Sequence, residues 1–110
     1  NYISEIPKEI RNLHNLITLN LEHNLITELP KEIGNLTNLN ALKLSSNHIN
    51  ELPKEIGNLI NLIQIDVSDN QLTEFPLFIS SFLELQKLNL QNNKLQTIPI
   101  DILKIENLKE

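Results

Sequence analysis

The sequence predicts an α/β solenoid, a stack of short parallel strands with helical segments along the opposite side. Three observations lead there. Leucine returns at Leu16, Leu39, Leu62, Leu85 and Leu108, each 23 residues after the last. Numbered from that leucine, each unit carries apolar residues at positions 1, 4, 6, 11, 14, 18 and 21. Positions 4 and 6 alternate as on one face of a strand, whereas 18 and 21 stand three apart, as on one face of a helical turn. All five prolines, Pro7, Pro30, Pro53, Pro76 and Pro99, share position 15. No unit of this size buries its inward residues alone, so the units must stack, with strands about 4.8 Å apart.

The strand comes first in each unit. Position 4 holds Leu19, Leu42, Ile65 and Leu88, and position 6 holds Leu21, Leu44, Val67 and Leu90. The helical part contributes Ile10, Ile33, Ile56, Ile79 and Ile102 at position 18, and position 14 is Ile6, Leu29, Leu52, Phe75 and Ile98. These columns read as core, where truncating a buried leucine costs ~2–5 kcal/mol. Between them, position 9 is Asn1, Asn24, Asn47, Asn70 and Asn93. A chain turning inward after a short strand leaves backbone groups unpaired, and an amide side chain both donates and accepts, so Asn24, Asn47, Asn70 and Asn93 are expected to form a structural ladder. Proline at position 15 suits the first residue of a helical turn and stops the strand ladder. At position 19 Gly34 and Gly57 alternate with Arg11, Ser80 and Leu103. A position that accepts Leu or Arg needs no left-handed backbone, which makes the glycines look incidental.

With LxxLxLxxN followed by LPxEIxxLxxL, the chain resembles the leucine-rich repeat family. The 23-residue period and the phrase LPKEIGNLTNL are similar to its Ras-group-like subtype, abundant in bacterial proteins including those of leptospiral spirochaetes. The resemblance runs through a single domain, 1–110: a partial repeat 1–15, full repeats 16–38, 39–61, 62–84 and 85–107, and the start of another at 108–110. It implies a right-handed, curved solenoid. Its strands would line a concave face used for protein recognition, and short helical or 3-10 segments would lie on the convex face.

Composition narrows the function classes. There is no run of about 18 apolar residues, hence no membrane span. Signal and anchor motifs are absent too, and the chain does not indicate a compartment. A net charge of −5 without a basic stripe argues against nucleic acid. With no cysteine, disulfides and Cys-bounded caps are excluded. Without a methionine, Asn1 is not expected to be the translational start. The first strand of the partial repeat is missing, so that end is expected to adjoin further residues or another copy of the chain.

Outward strand positions supply the candidate binding face. They are Thr18, Asn20, Glu22 and His23; Ala41, Lys43, Ser45 and Ser46; Gln64, Asp66, Ser68 and Asp69; and Lys87, Asn89, Gln91 and Asn92. In register, Asn20, Lys43, Asp66 and Asn89 make one column, in which Lys43 and Asp66 are neighbours able to pair for roughly 0–1 kcal/mol. The face is polar, mixed in charge and free of aromatic anchors.

On the outer side Glu5, Glu28, Glu51 and Glu74 fall in one column beside Lys8, Lys31 and Lys54, followed by Glu9, Glu32 and Glu55. These alternating stripes read as a solvated helix-start surface. From Phe75 onward the pattern changes. Leu77, Phe78 and Ile100 stand where Lys and Glu stood, and Ile60 and Leu83 replace Thr37 and His14 at position 22, near Ile63 of the next unit. Such a patch (Ile60, Ile63, Leu77, Phe78, Leu83, Ile100) signals either contact with another chain or with further residues of this one, or a broadened core.

Chemistry finds little support. Position 8 aligns His23, Ser46, Asp69 and Asn92. With Ser46 between them, His23 and Asp69 are two strands or about 9.5 Å apart, and no nucleophile elbow or Gly-rich loop supplies an oxyanion site. Of His14, His23 and His48, only the last two fall near one another, beside Glu22. Zinc needs about four ligands, so metal is expected only as a link between two molecules. The sequence thus points to a noncatalytic module that binds a protein, without a cofactor. Self-assembly through uncapped ends or exchanged repeats and a metal-linked surface protein remain alternatives.

Overall fold

A computed structural model describes residues 2–74 and 76–95. The expectations placed on Asn1, Phe75, Ile98, Pro99, Ile100, Ile102 and Leu108 fall outside those residues. Among the described residues four strands, β1 (Thr18–Asn20), β2 (Ala41–Lys43), β3 (Gln64–Asp66) and β4 (Lys87–Asn89), form one parallel sheet in the order β1-β2-β3-β4. The register pairs each residue with the one 23 positions on, as in Leu19↔Leu42, Leu42↔Ile65 and Ile65↔Leu88. Sequence period and sheet register are one quantity.

Opposite the sheet run, among the described residues, four 3-10 helices, η1 (Lys8–Asn12), η2 (Lys31–Asn35), η3 (Lys54–Asn58) and η4 (Leu77–Ser81). Each is preceded by its proline, with φ between −67° and −74°. Proline therefore sits one residue before the turn, not inside it. Its carbonyl accepts the first turn's bond, as from Ile33 N–H to Pro30 O at 3.1 Å. The turn tightens to 3-10 because only five residues separate that proline from the leucine that must re-enter the core. Leu36 closes η2 by donating its N–H to Ile33 O at 3.2 Å.

Between the layers lies the core. Ile26, Ile33 and Leu36 of the first full repeat, Leu39, Leu42, Leu44, Ile49, Ile56 and Leu59 of the second, and Leu62, Ile65 and Leu72 of the third are fully buried. Toward the first repeat the same columns are less covered: Ile6 and Ile10 are half-buried, and Ile3 and Leu13 are exposed.

The asparagine column closes the chain's inward turn. Asn47 Oδ1 accepts from Ile26 N–H at 3.0 Å, while its Nδ2 donates to Leu21 O at 3.0 Å and Leu44 O at 3.1 Å. Asn70 repeats this with Ile49 N–H, Leu44 O and Val67 O, and Asn93 with Leu72 N–H, Val67 O and Leu90 O. Each amide thus ties its own strand end to the preceding repeat. Among the described residues no buried side-chain nitrogen or oxygen lacks a partner.

Gly34 corrects the reading of position 19 as incidental. Neither glycine has a positive φ. A Cβ on Gly34, however, would stand 2.6 Å from the Glu55 carbonyl oxygen, a backbone atom that gives way only at a cost. Glycine is needed there because η2 and η3 approach closely. At Gly57 the nearest atom is the Phe78 Cβ at 3.1 Å, a milder encounter.

Candidate interaction surfaces

Strand sterics set the sheet's open face. Inward residues of β1 to β4 are buried, and the flanking positions alternate outward. Thr18, Asn20 and Lys87 are exposed; Ala41, Lys43, Gln64, Asp66 and Asn89 are half-covered by their neighbours. Just beyond the strands, Glu22 is half-covered and Gln91 exposed, but Ser45 and Ser68 of the same column are buried. Those two serines therefore depart from the outward placement expected of them. The small side chains are overlapped by the repeats on both sides, and Ser68 turns its hydroxyl to Asp66 Oδ1 at 2.7 Å.

The same Asp66 oxygen accepts the Ser68 N–H at 3.0 Å, so it faces its own strand end, although Lys43 and Asp66 are register partners. Asn20 and Asn89 do likewise, each Oδ1 accepting the N–H two residues on at 3.1 Å. These bonds hold three of the four side chains of the central column in fixed poses. Asx pairing of this kind is legible as Asn or Asp recurring before the strand end, a signal the column reading passed over.

Position 8 proves to be a backbone feature. His23, Ser46, Asp69 and Asn92 all have φ between 55° and 61°, the left-handed region, where the chain leaves the strand. The preponderance of Asn, Asp, Ser and His was its mark. Asn92 Nδ2 donates to Asp69 Oδ1 at 2.7 Å, so this part of the column is bonded along the stack. A second amide column also emerges at the turn into the strand: Asn38 Nδ2 donates to His14 O at 2.9 Å, and Asn61 Nδ2 to Thr37 O at 2.8 Å. Glu84 occupies the next place and has no N–H to give.

The apolar patch divides. Phe78 is half-buried, packed on the core over Gly57 and edge-on to Phe82, with ring centroids 6.2 Å apart. Leu77 is 68% exposed, Ile60 62% and Leu83 80%, while Ile63 is 38% exposed. Ile60, Ile63 and Leu83 lie on the edge where the chain enters the sheet, and Leu77 lies on the convex flank. Beside it is a groove of about 390 Å³ whose walls include Leu52, Leu72, Pro76 and Phe78. Among the described residues no group of three or more His, Cys, Asp or Glu side chains is placed to hold a metal ion. No helix among them is long and apolar enough to cross a membrane.

A parallel sheet in 23-residue register, backed by 3-10 turns and closed by asparagines, defines a repeat scaffold of the leucine-rich class. A family model described as leucine-rich repeat matches residues 1–49, and a second of the same description matches residues 84–105. The chain belongs to the leucine-rich repeat family. No curated protein sequence matches it. Among solved structures, it is similar to a leucine-rich repeat protein of Leptospira interrogans, with 44% identity, a TM-score of 0.93, and coverage of 98% of this chain and 28% of that one. The leucine-rich repeat ectodomain of a plant membrane receptor kinase from Arabidopsis thaliana, solved in complex with Casparian strip integrity factor 2, is 34% identical. Its TM-score is 0.87, over 96% of this chain and 13% of the receptor. Internalin C2 of Listeria monocytogenes shares the fold at 24% identity and a TM-score of 0.85, over 96% of this chain and 45% of that one. The chain therefore spans less than half the length of each of these three proteins.

Proposed function

We propose that the chain is a noncatalytic protein-recognition module, with the concave strand face as its main binding surface and the apolar C-terminal flank as a second contact. The observation that carries this reading is the sheet's open face: four strands in register present columns of polar side chains, and three of the central four are pinned by bonds to their own backbone. Such a surface loses little side-chain entropy when a partner docks. Its rigid, shallow form suits an extended protein surface better than a small molecule, which needs a deep enclosure. The plant receptor ectodomain, whose structure includes Casparian strip integrity factor 2, lends support from a relative.

Absence of catalysis is part of the proposal. His23, Ser46 and Asp69 lie in successive repeats on a left-handed turn, and Asp69 is engaged by Asn92 rather than by the histidine. A photocrosslinking residue introduced at Gln64 or Lys87 tests the binding reading. A discrete adduct to one protein should form from these sites and not from Asn35 on the convex side. Equal labelling from all three sites, or none, would overturn it.

A further inference from the structure

The groove on the convex flank permits a statement about partner chemistry, and it rests on the reading of that flank as a second contact. An equivalent seam exists near the start of the chain, about 340 Å³, formed by Ser4, Glu5, Ile6, Thr27, Glu28 and Pro30. Both seams share repeat positions 12 to 15, so the hollow itself is a product of stacking, and the later one extends to positions 16 and 17. What differs is the outer wall. Position 16 is Lys8, Lys31 and Lys54 in earlier repeats but Leu77 in the later one, and position 17 changes from Glu to Phe78. In each earlier repeat the exposed glutamate at position 13 has a lysine three residues on. Glu74 has Leu77 instead. The later seam thus has an apolar residue at position 16, where earlier repeats carry lysine, while Lys54 of the preceding repeat still lines it.

We propose that this seam docks a protein segment in which an apolar side chain is flanked by lysine or arginine. The apolar side chain would lie against Leu52, Pro76, Leu77 and Phe78, and the cation would meet Glu74 and Glu51 at the rim. Lys54 on the same wall disfavours a segment made only of positive charge and makes the apolar contact necessary. An acidic segment is repelled by the two carboxylates and by the chain's net charge of −5.

The test is fluorescence anisotropy of the chain with labelled peptides alternating Lys with Leu or Phe. Saturable, salt-weakened binding is expected, reduced at least tenfold when the peptide's Lys become Glu or its Leu and Phe become Ser. Leu77→Lys should also reduce it at least tenfold, as should Glu74→Lys. Leu77→Lys restores the residue type of Lys31 and Lys54 at a solvent-exposed position, so the fold is retained, and circular dichroism verifies this. Asn35→Ser, at an exposed convex position away from both surfaces, should leave peptide binding unchanged. No saturable binding, equal binding of the Glu-substituted peptide, or full binding by Leu77→Lys would overturn the proposal. So would a Leu77→Lys effect seen only as lost self-association in sedimentation. Crosslinking from Gln64 reads the concave face separately, so the two surfaces can fail independently.

Discussion

Two seams between repeats, built to one plan, behave differently because of what the next repeat supplies. At the earlier one, η2 presents Gly34 to the backbone of Glu55, and the neighbouring wall is Lys and Glu. At the later one, η3 presents Gly57 to the side chain of Phe78, and the wall is apolar. The same glycine in the same local phrase, KEIGN, thus faces a backbone oxygen at 2.6 Å in one place and a side-chain carbon at 3.1 Å in the other. Tolerance at a repeat position is decided by the adjacent copy.

The largest expected effect bears on what both seams share, the inner asparagine ladder. Asn47→Leu leaves the buried Ile26 N–H without its partner and strips one of two amide donors from each of Leu21 O and Leu44 O, which keep Asn24 and Asn70, and should cost about 3 kcal/mol in urea unfolding despite the more apolar side chain. Asn24→Leu removes bonds to Ile3 N–H, Leu21 O and Glu22 O at a less enclosed site and should cost about half as much. A stability gain in either would remove the ladder from the account. Next comes the comparison itself. Gly34→Ala should lose about 2 kcal/mol, since a carbonyl must shift, and Gly57→Ala less than about 1 kcal/mol, since Phe78 can adjust. Equal losses would show that both glycines answer to the same neighbour.

Smaller effects sharpen the apolar wall. Phe78→Glu should cost about 1–2 kcal/mol by removing packing on the core and on Phe82. Leu77→Lys should stay within about 0.5 kcal/mol of the parent because the side chain is mostly in water. If both proved equally costly, the wall would be core throughout. Smallest is Ser46→Gly, which relieves a φ of 60° and should raise stability by about 0.5 kcal/mol in the same unfolding measurement.

The sheet, its register and the core columns were legible because periodicity reports burial directly: Ile33, Ile56 and Ile79 recur at 23-residue intervals and all three are buried. Features that depend on backbone dihedrals or on approach between repeats were not. The left-handed turn at His23, Ser46, Asp69 and Asn92 lay in a column read for side-chain chemistry, and the need for Gly34 appears only when η3 is placed against it. Of the candidate surfaces, the strand face was legible as alternation. The burial of Ser45 and Ser68 was not, because alternation places a side chain on a face without saying how far the flanking strands overhang it. Similarly, Phe78 and Leu77 are adjacent apolar residues in sequence, and only packing separates the one over Gly57 from the one in solvent.

The asparagine bonds span 21 residues to the accepted N–H and 26 to the reached carbonyl, straddling the repeat length. Deleting or inserting one or two residues between a strand and its asparagine would put both partners out of reach at once. Removing a whole unit, by contrast, brings the next copy's identical groups into the vacated places. Adding or removing a complete unit therefore keeps the ladder continuous, whereas a fractional change between a strand and its asparagine breaks it.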